Sequence, residues 1–140
     1  MSALHLFNAR RGTAAQLEEL RVEDGRFVTR FSPDCSPQVI DLAGRLVLPG
    51  LVETHIHLDK ACILERCQLA EGTLAEAIAQ TSRAKATFTE EDVYTRGAQV
   101  LEKAILQGTT YMRTHVEIDP QIGLTGFNAI QRLKQDYAWA

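Results

Sequence analysis

The stretch Leu48-Pro49-Gly50-Leu51-Val52-Glu53-Thr54-His55-Ile56-His57-Leu58-Asp59 constrains this chain more than any other. It enters through Pro-Gly, runs as an apolar segment and ends in His-x-His. Side chains alternate along a strand, so Leu51, Glu53, His55, His57 and Asp59 fall on one side. Val52, Thr54, Ile56 and Leu58 fall on the other, which is apolar. His55 and His57 are then about 6–7 Å apart along the backbone, close enough for both to reach one metal ion. The plainer reading is an ordinary strand with two chance histidines. The Pro-Gly entry, the apolar lead-in and the trailing Asp weigh against it, and the segment reads as a wall with a metal site at its end.

The residues before this segment have a different texture from those after it. Residues 1–47 read as all-β. Leu4 to Asn8, Gln16 to Val22 and Arg26 to Phe31 are short strand-like runs, and Asp24-Gly25 between the last two is a hairpin signal. Val39 to Asp41 and Arg45 to Val47 suggest a further strand pair around Ala43-Gly44. Residues 48–140 alternate instead. A strand over 48–58 leads to a helix opened by Thr73 with Glu76 three positions on, a capping box. Its apolar side carries Leu74, Ala77, Ile78 and Thr81. Thr89 opens a second helix, with Glu90, Glu91 and Asp92 complementing its dipole. Val93, Gly97, Val100, Leu101, Ala104 and Ile105 recur at helical period, and Gly108 ends the run. A second strand covers 109–118. A third helix covers about 125–137, with Phe127, Ile130, Leu133 and Tyr137 on one side. A strand–helix–strand–helix order predicts parallel strands.

The two strands resemble each other. Thr54-His55-Ile56-His57-Leu58-Asp59 aligns with Thr114-His115-Val116-Glu117-Ile118-Asp119. Each puts polar groups on one side near its C-terminal end, as neighbouring strands of a β/α barrel do around an active-site mouth. Arg113, His115 and Glu117 share the polar side, and Arg113 and Glu117 are placed to pair with each other.

Composition narrows the partners. The net charge is −3 with no cluster of Lys and Arg, which argues against a nucleic-acid groove. No apolar run approaches the roughly 20 residues of a membrane span. The opening residues are too short and polar for a signal peptide. Cys35, Cys62 and Cys67 are an odd number at irregular spacing, which suits reduced thiols in the cytoplasm. A site of His55, His57, Cys62 and Cys67 is conceivable, but its spacing matches no common zinc module.

Leu46 to Lys60, LVLPGLVETHIHLDK, resembles the first barrel strand of the amidohydrolase superfamily. Asp41-Leu42-Ala43-Gly44-Arg45 resembles the lead-in by which those proteins leave a small β domain. Gly108 to Glu117, GTTYMRTHVE, and the His-x-His-Leu-Asp-Lys ending resemble the cytosine deaminase-like branch. The implied fold class is α/β: an incomplete (β/α)8 TIM barrel, its first two β/α units, preceded by part of an N-terminal β-sandwich. The implied metal ligands are His55 and His57, for one divalent ion, zinc or iron. The family's later His and Asp ligands and its proton-shuttling glutamate have no counterpart here. The chain therefore looks like the first third of a family member, and by itself is expected to be inactive.

The implied reaction is hydrolysis of a non-peptide C–N bond in a small heterocyclic substrate. Water activated at the metal attacks a ring carbon bearing an amino group, a carboxylate moves the proton, and ammonia departs. His115, Arg113 and Lys60 are the candidate substrate contacts, although Lys60 is better placed to support its loop. Asp59 or Glu53 could anchor the second nitrogen of a metal-binding ring. A cyclic amidase of the dihydropyrimidinase or dihydroorotase kind is the alternative chemistry, and a non-catalytic chain the alternative class. The sequence sets no oligomeric state and leaves a homo-oligomer open for the full-length protein.

Overall fold

The computed structural model describes residues 2–13 and 15–140. The chain divides into two compact units, Met1–Pro49 and Gly50–Ala140.

The first unit is a sheet organised on one long strand, β1 (Ala3–Arg11). β2 (Glu18–Glu23) pairs antiparallel with β1, and β3 (Arg26–Phe27) antiparallel with β2. Asp24 and Gly25 between them have φ of 47° and 74°. Two successive positive φ values match the twist of a tight hairpin, which is the turn that Asp-Gly predicts. β2 and β3 are shorter than the sequence suggests, and β3 ends at Phe27. β4 (Gln38–Asp41) and β5 (Leu46–Val47) lie where strands are expected, but they do not pair with each other. Both run parallel to β1. The backbone between them explains why. Leu42 N–H donates to Phe7 C=O and Gly44 N–H to Asn8 C=O, each at 2.9 Å, and Arg10 N–H donates to Arg45 C=O at 3.0 Å. The 42–45 segment spends its hydrogen bonds on β1, so the chain travels along that strand instead of folding back.

The second unit contains a two-stranded parallel sheet of β6 (Leu51–Ile56) and β7 (Thr109–Thr114). Between them come α1 (Leu74–Lys85) and α2 (Glu90–Leu106), and α3 (Thr125–Asp136) follows β7. Both strands are shorter than the expected 48–58 and 109–118. The last rung is His115 N–H to Ile56 C=O at 2.7 Å. Beyond it Leu58 N–H donates to Thr114 Oγ1 at 3.1 Å, and the chain curls into a 3-10 turn over Leu58–Lys60. Gly50 is required at the entry to β6: a Cβ there would lie 2.0 Å from Thr110 Oγ1 on the neighbouring strand.

The helix boundaries follow the predicted signals. Thr73 Oγ1 accepts from Glu76 N–H and Thr89 Oγ1 from Asp92 N–H, both at 3.2 Å. Gly108, at φ 91°, lets the chain leave α2 for β7. The core of this unit is Leu58, Ala84, Val93, Ile122, Ala129 and Leu133. It forms where the inner side of α2 meets α3 and the 3-10 turn. Gly97 permits the close approach, since a Cβ there would sit 2.7 Å from Leu133 Cδ1. Two apolar stripes are not buried as expected. On α1, Leu74 and Ile78 are exposed and only Ala84 and Lys85 are buried. On α3 the buried side is Gly126, Ala129 and Leu133, and Phe127 points away. Among the described residues no helix is long and apolar enough to cross a membrane.

Candidate functional site

The chemistry gathers where β6 and β7 end side by side. His55 is the penultimate residue of β6, His57 opens the 3-10 turn, and His115 follows β7. The His115–Ile56 rung ties the two strand ends together. Their rings form a triangle: centres are 5.5 Å apart for His55–His57, 4.4 Å for His55–His115 and 5.4 Å for His57–His115. His55 and His57 thus face the same way, as strand alternation demands, and His115 joins them. Burial, then the neighbouring His55 and His57 rings and Arg113, hold His115 below the ordinary imidazole pKa. It is therefore neutral, with a lone pair to offer, at physiological pH.

Supporting groups come from the residues around the 3-10 turn. Asp59 is 2% exposed. Its Oδ2 accepts from Glu117 N–H at 2.9 Å, and its Oδ1 lies 3.9 Å from His57 Nδ1. Glu53 is occupied elsewhere, since its carboxylate accepts from the backbone N–H of His55 at 2.8 Å. Glu117 does not pair with Arg113. It accepts from Lys60 Nζ at 3.0 Å and Lys85 Nζ at 3.1 Å. The turn after β7 carries Glu117 away from the strand face and towards α1, which overrides the expected i, i+4 pairing. The two lysines, Lys60 first, hold the Glu117 carboxyl below the usual carboxylate range. Lys60 thereby ties the 3-10 turn to the segment after β7. Arg113 makes no ion pair among the described residues.

Three further side chains contribute. Lys85, at the end of α1, also donates to Asp119 Oδ2 at 2.5 Å. Asp119 in turn accepts from Gln121 N–H and Ile122 N–H, shaping the turn into α3. Arg96 on α2 is 5% exposed and donates to the carbonyls of Asp59 and Ala61, clamping the 3-10 turn from below.

A cation suits part of this arrangement. Two imidazoles sharing a zinc-like ion at about 2.0–2.1 Å have ring centres about 5 Å apart, as here. The ring nitrogen facing away from such an ion needs an acceptor, and His57 Nδ1 is a buried atom with no hydrogen-bond partner among the described residues. The ligand set is short, however. Among the described residues no group of three or more His, Cys, Asp or Glu side chains is arranged to hold a metal ion. The His55, His57, Cys62 and Cys67 combination therefore does not form. Cys67 Sγ instead donates to Ile63 C=O at 3.4 Å. A cavity of about 690 Å³ lies elsewhere, between β7, α2 and α3, and none of the three histidines lines it.

The model of the amidohydrolase family matches residues 38–135, which span β4 to α3 and include every residue of this cluster. The chain belongs to the amidohydrolase family. Among solved structures it superposes on 5-methylcytosine deaminase from Klebsiella pneumoniae with a TM-score of 0.82 at 32% identity, covering 96% of this chain and 34% of that one. N-isopropylammelide isopropylaminohydrolase from Burkholderia multivorans gives 0.79 at 26% identity, covering 97% and 35%. A curated relative, N-isopropylammelide isopropyl amidohydrolase of Pseudomonas sp. strain ADP, is 28% identical over 102 residues, 69% of this chain and 25% of that protein. This amidohydrolase chain spans a quarter to about a third of the length of these three relatives. Its α/β fold is that of the N-terminal part of these barrel proteins: a portion of the small β domain, then the first two β/α units of the barrel.

Proposed function

We propose that this chain carries the opening segment of a metal-dependent hydrolase of non-peptide C–N bonds. Residues 1–47 contribute to the sandwich and residues 48–140 to the barrel. The whole protein acts as a cytosine deaminase-like aminohydrolase on a small heterocycle. The carrying observation is the convergence of His55, His57 and His115 at the C-terminal ends of two adjacent parallel strands, where barrel enzymes place their chemistry. The deaminase and aminohydrolase neighbours support the same reaction class.

His55 and His57 hold one divalent ion, zinc or iron, which neutral imidazole suits. When bound, such an ion brings the pKa of water down from about 15.7 to near 7. His115, neutral and beside both rings, lines the substrate side of the site and offers a hydrogen bond to a ring nitrogen or carbonyl. Arg113 stands next to it with its charge uncommitted and faces the same substrate. Lys60 holds Glu117 and keeps the loop that frames the mouth. The remaining ligands and the proton-moving carboxylate come from the rest of the barrel. A cytoplasmic setting agrees with three free cysteines.

The test is a graft. This chain replaces the matching N-terminal third of the Klebsiella deaminase, whose fold it shares. Ammonia release from cytosine derivatives is expected in the graft and is lost with His55→Ala or His57→Ala. Ring opening of a dihydropyrimidine without ammonia release would move the chain to the cyclic amidases. Activity that survives loss of both histidines would defeat the reading.

A further inference from the structure

Two buried polar atoms in the described structure lack partners, and they face each other. His57 Nδ1 and Asp59 Oδ1 are both buried without a hydrogen bond, 3.9 Å apart. Buried polar atoms left unpaired are destabilising, so an unpaired couple facing each other calls for an explanation. The rest of the His57 ring is not enclosed, for its side chain is 41% exposed overall. The buried side of the ring is therefore the Nδ1 side.

Asp59 is held so that it cannot turn away. Its other oxygen accepts from Glu117 N–H at 2.9 Å, and its backbone carbonyl accepts from both terminal nitrogens of Arg96 at 3.3 Å. Gly126 at the start of α3 closes the remaining side, since a Cβ there would lie 3.5 Å from Asp59 Cβ. An ionised carboxylate only accepts hydrogen bonds. The pair is satisfied when Nδ1 carries the imidazole proton, and a small ring rotation closes the gap. Nε2 is then left with its lone pair.

We propose that Asp59 is a positioning residue that locks His57 in the Nδ1–H tautomer, so that Nε2 is always available as the ligating nitrogen. This rests on the reading of His55 and His57 as metal ligands, but the tautomer is a property of the metal-free chain and can be measured there. Glu53 is not placed for the role: it accepts from the His55 backbone N–H through Oε1, and among the described residues the carboxylate within 4 Å of a His57 ring nitrogen is that of Asp59. A purely structural Asp59, serving only Glu117 N–H, would leave the His57 tautomer free.

The experiment uses the 140-residue chain labelled with 15N at histidine, at about pH 9, above the ordinary imidazole pKa of about 6.5. Two-bond proton–nitrogen correlations separate Nδ1–H from Nε2–H, and His57→Gln identifies the His57 signals by subtraction. Wild-type His57 is expected as Nδ1–H. Asp59→Asn keeps an oxygen for Glu117 N–H but turns its amide NH2 towards Nδ1, so His57 is expected to reverse to Nε2–H. Asp59→Ala is expected to give a mixture. Zinc added to the same samples should bind about 10–100-fold more weakly to Asp59→Asn than to wild type. A mixed or Nε2–H tautomer in the wild-type chain, from whatever cause, overturns the proposal, as does an Asp59→Asn spectrum identical to wild type. If zinc leaves the His55 and His57 signals unmoved while wild-type His57 is Nδ1–H, the metal reading fails and the positioning role of Asp59 stands.

Discussion

Lys85 is buried at the end of α1 and paired with two carboxylates. It is 8% exposed and bridges Glu117 and Asp119, which hold its own pKa above the usual lysine value, Asp119 most of all. Lys85→Met removes the charge both carboxylates share. Glu117 keeps Lys60 and Asp119 keeps two backbone N–H groups, so the cost is expected to be about 1–3 kcal/mol in urea unfolding, below that of a fully orphaned buried charge. Asp92 gives a pH signature. Arg66 and Arg96 hold its pKa down at about 2, from an ordinary 3.8. A depressed folded-state pKa means stability that is present above the ordinary value and lost as the pH falls through the folded one. Stability should therefore drop between about pH 5 and pH 2, and Asp92→Asn should flatten that slope. At this scale the sequence was readable for His55 and His57, because strand alternation alone puts them together. It was not readable for Lys85, or for the bonds Arg96 makes to the Asp59 and Ala61 carbonyls, because those partners are 32 to 37 residues away and depend on how the turns after the strands run.

Elements fared differently according to what holds them. The starts of α1 and α2 were legible because a Thr cap is a local device. Thr89→Ala should cost about 1 kcal/mol, read as a lower midpoint of thermal or chemical unfolding. Glu76 does more than a capping box asks, accepting from the backbone N–H groups of Ala70, Glu71 and Gly72. Glu76→Ala is expected to raise amide exchange across residues 70–72 before it affects the helix. Strand ends were misread because alternation continues in the sequence after the hydrogen-bond ladder has stopped. At Leu58 the Thr114 hydroxyl replaces the next backbone partner, and at Glu117 two lysines pull the chain aside. The expected hairpin around Ala43-Gly44 failed for a related reason: its turn residues are right, but β1 offers better acceptors than the opposite strand does.

On the scale of the molecule, the second unit is half covered. Leu51, Val52 and Tyr111 on the sheet and Leu74 and Ile78 on α1 are exposed, and β7 has no partner among the described residues on the edge away from β6. A sheet with an open edge and bare apolar side chains invites pairing with other chains. Dilute samples of the 140-residue chain are expected to bind a hydrophobic dye and to associate as concentration rises, measured by light scattering. Tyr111→Lys, which places a charge on that edge strand, should reduce the association. The family was legible in the sequence because its signature lies within these residues. The uncovered surfaces carry no local sequence signal, because a side chain that would be buried by further strands and one that is left bare look alike in the sequence.

β1 serves three partners: β2 on residues 3–9, β4 on residues 4–7 and β5 on residues 10–11. During synthesis β2 emerges soon after it, but β4 and β5 arrive only some thirty residues later. The newborn hairpin must therefore survive in the cell with a bare flank until the ribosome delivers the segment leading to His55. The interval before that delivery is when a chaperone, or a stray neighbour, has its chance at this protein.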